Sequence, residues 1–498
     1  MWAPVAGTIL ALWPRLDLVG LHEDEGVVSA WASLVAAGQV PYRDFFTFAT
    51  PGAAFLYGAE YRLLGVSVFG DRLLTSLGIL AAVALLAAIA LRFLPPPGAA
   101  AVALLWGVWL PVFLGYSQYH FWCITLALAA TLALLIAFET GRLHWWALAG
   151  GAAALAFLFL QSLLTLAPAL LLVAFLRGRP VLPRLLALAA GAMVPVALLI
   201  GYLLATGSFA DFFRDTAGFT VGTYRSFNRQ PFPWNPLLLG DTLNWRAGEA
   251  AYWEFPMFWL LVLLLPVVVA GVAAFLTLGA VLGRARLGPG GVLAIVSSAL
   301  FASVVLGLIG GPLGWLAAPL ALVLLAGRID ASTRGRRQLL ALAPALTLLL
   351  IGLAPAPVGW ALSCDYNPGG RLLAVKTQAG SVCVRSADAP ALREAVTLVA
   401  ANPGRRVAFQ PSALELYELT GTQPIGQPLW LLNGLVSPAL LGEQERALLD
   451  PRVEYLLYVN DVYLDLGHPW AVDDFLAANF KIESAVKTYT LYRRAADT

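Results

Sequence analysis

Residues 20–30 read GLHEDEGVVSA. Glu23, Asp24 and Glu25 stand between the first apolar stretch of the chain and a segment rich in Val, Ala and Trp. The chain carries 29 acidic residues in 498 and is 60% hydrophobic and 12% charged, so three adjacent carboxylates at the edge of an oily region need a cause. Two causes are open at this level. Acidic side chains ahead of a helix favour the positive end of its dipole. A carboxylate at a boundary between oil and water can also act as an acid or base.

Working outward, the composition excludes an ordinary soluble globule. Apolar runs long enough to cross a hydrocarbon layer of ~30 Å recur through the first three quarters. They fall near 2–13, 73–93, 98–115, 121–138, 145–161, 163–176, 185–205, 255–282, 291–309, 312–327 and 338–361. The expected fold class is therefore a polytopic α-helical membrane protein with about 11 transmembrane helices. The opening WAPVAGTILALWP has no basic segment before it, so no cleavable signal peptide is expected. A formal net charge of +2 gives no reason to expect a nucleic-acid partner.

Alternate connections differ in charge. One set carries Arg92, Arg142, Arg177, Arg179, Arg184, Arg284, Arg286, Arg328, Arg334, Arg336 and Arg337, whereas GYSQYH, QSLLT and GGP in the other set carry no Lys or Arg. The positive-inside rule makes the first set cytoplasmic. The acidic loop at 22–72, the long aromatic and basic loop at 206–254 and everything after ~362 then lie on the outer face. The predicted organisation is a membrane domain over 1–362 and a soluble α/β domain over 363–498. In the latter, RLLAVKTQ and SVCVRS read as a hairpin and ALREAVTLVAAN as a helix. RRVAFQ and VEYLLYVN read as strands, and ALELYELTG as a helix ending at Gly421. Cys364 and Cys383 flank the hairpin on the oxidising side; they are either a disulfide or two buried thiols. Cys123 lies in a span as packing.

After the acidic triplet, Val27, Val28, Trp31, Leu34 and Val35 recur at helical spacing, which suits a helix lying along the membrane surface. GQVPYRDFF, a Pro51-Gly52 turn and LLGVSVFGDR follow, the last opening the second span. This order, with the stretch YELTGTQPI in the tail, resembles the GT-C glycosyltransferases. It is most similar to the bacterial branch of protein O-mannosyltransferases and lipid A aminoarabinose transferases.

That resemblance implies transfer of a sugar from a polyprenyl-phosphate donor to a glycan, lipid or protein acceptor at the outer face of the cytoplasmic membrane. Phosphate leaves as an anion without a proton, but the attacking hydroxyl must lose one, so one carboxylate within reach serves as general base. Position in the Asp24-Glu25-Gly26 motif assigns that role to Asp24. Glu25 orients the acceptor or tunes Asp24, because adjacent like charges oppose joint ionisation. Glu23 has no counterpart.

Asp44 is the candidate second carboxylate, with Arg43 beside it; the alternative is a turn-capping Asp next to a solvated Arg. Phe48, Ala49 and Thr50 precede Pro51 where the aminoarabinose-transferase pattern has an acid and a lysine. The donor phosphate calls for cations, and Arg72, Arg225 and Arg229 are on the expected side; each also reads as an interfacial arginine. His120, opening the fourth span, bridges phosphate or acceptor, or bonds a carbonyl. Gln161 reads as a cap.

The opening span holds only about twelve apolar residues before Pro14, fewer than the ~20 that a crossing helix uses. The turn GGPLGW lacks charge. A divalent metal serves oligosaccharyltransferases of this fold, but no His, Asp or Glu spacing here demands one. A flippase or transporter of lipid-linked glycan is the competing function, since charges at the membrane edge also mark permeation paths. Repeat symmetry between two halves would be its sign, and none is evident. A non-catalytic assembly protein is the third class.

Overall fold

The computed structural model describes residues 2–13, 16–17, 19, 25–114, 118–224, 265–282, 287–306, 319–327, 372–386, 389–401, 406–410, 414–427, 437–459, 470–485 and 489–495. Helices α1 (Trp2–Leu12), α2 (Glu25–Ala36), α3 (Gly52–Leu64), α4 (Val68–Ala90) and α5 (Pro96–Leu114) open the chain. They are followed by α6 (Gln118–Thr140), α7 (Leu143–Phe159), a 3-10 turn at Gln161–Thr165, α8 (Leu166–Leu176) and α9 (Leu182–Thr206). The short α10 (Phe209–Phe213) runs into π-helical turns at Arg214–Gly218 and Thr220–Tyr224; among the described residues α11 (Leu265–Val281), α12 (Pro289–Leu306) and α13 (319–327) follow.

Among the described residues α4, most of α6 and α9 are long and apolar enough to cross a bilayer. Local chemistry sets their ends. Ser67 accepts a hydrogen bond from the Gly70 amide and caps α4, whose first turn carries Asp71. Gly207, at φ 72°, closes α9 in the left-handed conformation that glycine adopts without strain. Helices α7 and α9 pack with their backbones nearly touching: a Cβ on Gly150 would strike the Leu188 carbonyl, and one on Gly191 the Ala147 carbonyl. The far side of α9 leaves Val194, Leu198 and Leu204 exposed, as a lipid-facing helix does.

Arginine-bearing turns gather at one end of the bundle. Arg92 after α4 pairs with Glu139 of α6, and the Arg177 guanidinium reaches the Phe138 carbonyl. Arg184 donates to the Gly178 carbonyl at 2.5 Å. The 319–327 helix ends at Gly327 beside Phe93, on the same side.

Helices α2 and α3 and the C-terminal elements occupy the opposite end. Strands β1 (Leu372–Thr377) and β2 (Gly380–Arg385) form an antiparallel hairpin. A second sheet has the order β3-β4-β6-β5, with β3 (Arg406–Gln410) parallel to β4 (Val453–Val459). Its other strands, β5 (Phe480–Ala485) and β6 (Tyr489–Arg494), are antiparallel. Helices α14 (Ala389–Ala401), α15 (Glu415–Thr420), α16 (Pro438–Leu448) and α17 (Trp470–Asn479) connect them. Alternate residues of β3 and β4 serve two cores. Val407, Phe409, Tyr455 and Leu457 face α14, and Ala408, Leu456 and Tyr458 face Leu448 and Leu476. Gly421, at φ 64°, ends α15 at the residue expected from the sequence.

Helix α2, expected to lie along a membrane surface with one face open, is enclosed by protein. Every residue from Val27 to Leu34 is buried, the two serines included. Gly58 of α3 admits Val35 and Ala32 from one side. From another, the first turn of α2 meets Glu415 of α15. A helix with polar Ser29 and Ser33 on its other face is enclosed because a distant part of the chain covers it, which no local period encodes.

Candidate active site

The loop between α2 and α3 turns sharply at Tyr42, whose φ of 71° is rare for a side chain of that size. Two bonds hold it: the Tyr42 amide donates to the Phe45 carbonyl at 2.9 Å and its hydroxyl to the Ala49 carbonyl at 2.8 Å. Burial, with the charge of Asp215 nearby, raises the Tyr42 hydroxyl well above its usual range. The aromatic residues that follow lock the loop onto the turns after α9. Phe46 meets Phe219 edge to face at 4.9 Å, Phe48 meets Trp31 at 5.4 Å and Tyr42 meets Phe212 at 5.1 Å. Gln161 donates to the Phe48 carbonyl at 2.9 Å and to Thr220 Oγ1 at 3.4 Å. It links three segments far apart in sequence, which is more than a cap.

Arg43 and Asp44 form a two-pronged pair at 2.8 and 2.9 Å. Asp44 also accepts the Val40 amide at 2.8 Å, and Arg43 donates to the Thr206 carbonyl that ends α9. The bond from Arg43 holds the Asp44 carboxyl below its ordinary value. In this structure the pair braces its own turn against α9.

Arg72 is buried in the first turn of α4, lining a small cavity with Val19, Val68, Asp71, Glu415 and Glu418. Tyr61 and Ser29 donate to Asp71 Oδ2 at 2.7 and 3.3 Å. Glu60 of α3 lies beside the group, and burial raises its carboxyl above the ordinary range while its neighbour Asp71 opposes that. Asp71, Glu415 and Glu418 thus line one cavity with the Arg72 guanidinium, with Glu60 beside Asp71. His120 is buried in the first turn of α6.

Asp24, Arg225 and Arg229 lie outside the described residues. Glu25 is the first residue of α2, and its side chain also lies outside them. Cys383 sits within β2 opposite Ala374 and is disulfide-bonded, Cys123 is free, and Cys364 lies outside the described residues. Among the described residues no group of three or more His, Cys, Asp and Glu is arranged to hold a metal ion.

Two features escaped the sequence reading. Asp215, in a π-helical turn, is 2% exposed; Arg214 donates to its Oδ1 at 2.7 Å, and its buried Oδ2 has no hydrogen-bond partner among the described residues. Burial, opposed by Arg214, moves this carboxyl up to about 6. An adjacent Arg-Asp pair in a loop looks like a solvated ion pair in sequence, so the burial gave no signal. Glu415 and Glu418 likewise read as the wet face of a short helix, yet all of α15 is enclosed.

No protein-family model matches the chain, and no curated protein matches it. Solved structures do. ArnT from Cupriavidus metallidurans, in the apo state, is 13% identical and has a TM-score of 0.58, covering 98% of this chain and 96% of its own. The oligosaccharyltransferase AglB of Archaeoglobus fulgidus, in complex with an inhibitory peptide and a dolichol-phosphate, is 13% identical with a TM-score of 0.48. It covers 99% of this chain and 74% of its own. A zinc and sulfate complex of the Archaeoglobus fulgidus oligosaccharyltransferase gives 12%, 0.46, 92% and 68%. Over nearly its whole length this chain has a helical fold like that of ArnT.

Proposed function

We propose that the protein is an inverting glycosyltransferase that moves a sugar from a polyprenyl-phosphate donor to an acceptor hydroxyl at the outer face of the cytoplasmic membrane. The observation that carries this reading is the fold likeness to ArnT over 98% of the chain. The placement of the arginine-bearing turns supports the orientation, since they lie at the end away from α2, α3 and the C-terminal elements.

In the proposed step Asp24 accepts the proton of the acceptor hydroxyl as its oxygen bonds to the anomeric carbon. The bond from that carbon to phosphate oxygen breaks, and its electron pair leaves on the polyprenyl phosphate. Attack from the face opposite the leaving group inverts the anomeric centre. Glu25, one residue on, orients the acceptor or tunes Asp24. Arg225 and Arg229 are the cations proposed for the phosphate. Arg72 and His120 back the site from the first turns of α4 and α6, and Arg43 with Asp44 holds the loop that walls it. The proposed domain at 363–498 sits on the same outer side, with Cys364 as the partner of Cys383.

Asp24→Asn is the test. Purified protein in vesicles is given labelled polyprenyl-phosphate hexose, and released polyprenyl phosphate is measured. Loss of release by 10²-fold or more at equal protein level is expected; near-normal release removes Asp24 from the mechanism.

A further inference from the structure

Four arginines meet at the two turns that join α6 to α7 and α8 to α9. Arg142 and Arg179 are exposed in those turns. Arg177 donates to the Phe138 and Glu139 carbonyls at the end of α6, and its guanidinium lies against Gly141, where a Cβ would come 3.4 Å from Nη2. That fastens one turn to the other. Arg184 is 4% exposed and donates to the Ala174 and Gly178 carbonyls at 3.2 and 2.5 Å. Two guanidinium groups thus cover the negative dipole ends of α6 and α8. The positive ends stay open: α7 and α9 start at the same turns, and neither Arg142 nor Val181 caps its helix with a side-chain bond. Nor does the sequence balance the charge. Between Arg72 and Asp211 the chain has one acidic residue, Glu139, and it pairs with Arg92. Among the described residues no carboxylate forms an ion pair with Arg142, Arg177, Arg179 or Arg184.

We propose that these two turns form a binding site for the phosphate headgroup of an anionic phospholipid, in the leaflet at the arginine end of the bundle. Arg142 and Arg179 hold the phosphate oxygens, and Arg177 and Arg184 fix the turns that present them. The apolar surroundings select a lipid over a free anion. Leu143 at the start of α7, Phe175 at the end of α8, and Leu182 and Leu186 in the first turns of α9 are all exposed beside the arginines. Basic heads next to bare apolar side chains match the level where headgroups meet acyl chains. The site lies at the end away from α2, α3 and the C-terminal elements, so it is separate from the centre proposed for sugar transfer and does not depend on Asp24.

Native mass spectrometry of the full chain in detergent, titrated with phosphatidylglycerol or phosphatidylcholine, reads the site. Phosphatidylglycerol is expected to bind at least tenfold more tightly; equal affinity for the two lipids overturns the proposal. One arginine at an anionic surface contributes about fivefold to affinity, so the double variant Arg142→Gln/Arg179→Gln should bind phosphatidylglycerol roughly 30-fold more weakly. Neither side chain makes a hydrogen bond among the described residues, so the unfolding midpoint should stay in place. Should the double variant not fold, the two single variants are read instead, each about fivefold weaker. Arg62→Gln, at an exposed position of α3 at the other end, should bind like the unchanged protein. Full affinity in the arginine variants, or the same loss in Arg62→Gln, overturns the site. Millimolar inorganic phosphate should leave the lipid bound; displacement makes the site one for a free anion and overturns the lipid as its occupant.

Discussion

Gln161 donates through Nε2 to the carbonyl oxygen of Phe48 at 2.9 Å, tying the turn between α7 and α8 to the loop that follows α2. With Thr220 as its second contact, one amide spans three segments far apart in sequence. Gln161→Leu keeps the bulk and leaves the Phe48 carbonyl without this donor. A loss of about 1 kcal/mol is expected, read as a lower unfolding midpoint in detergent.

Arg72 is the cation that lines the cavity with Asp71, Glu415 and Glu418. Arg72→Met is expected to cost 3–5 kcal/mol, because it leaves buried carboxylates uncompensated. The check is the yield of monodisperse protein. Arg72→Lys keeps the charge without the planar fork and should fall between Arg72→Met and the unchanged protein.

Asp215 carries a pH signature. Its folded carboxyl titrates at about 6, above the ordinary 3.8, so the folded state holds the proton more tightly than the unfolded one. This contribution to stability is fully present below pH ~4 and is lost as pH rises through ~6. About two units correspond to on the order of 3 kcal/mol. Asp215→Asn should flatten the stability profile between pH 4 and 7, measured by thermal unfolding across that range. A profile that keeps its slope in this variant assigns the proton to another group.

The α7–α9 contact is set by glycines. Gly191→Ala places a methyl group against the Ala147 carbonyl, a backbone atom that no rotamer change can move. The helices must separate, at an expected cost of about 1–3 kcal/mol, visible as a lower midpoint with the helical signal retained. Gly201, with open space around its α-carbon on the same helix, is the control; Gly201→Ala should be neutral or stabilising.

The run lengths and charge alternation of the sequence determined the helical bundle. The expected spans at 73–93, 98–115, 121–138, 145–161 and 185–205 each fall on α4 to α7 and α9, with ends a few residues away. Bilayer thickness acts on contiguous residues, so that information is local. The same holds for the β1–β2 hairpin, α14 and the Gly421 cap, which turn chemistry and side-chain period specify within a short window. What surrounds each element is another matter. That α2 is enclosed, that Asp215 is buried beside an exposed arginine, and that Asp71 and Glu415 line one cavity depend on segments far apart in the chain. Only tertiary packing decided them, because the free energy of a carboxylate follows from its solvation and its neighbours in space, and neither can be read from the residues beside it.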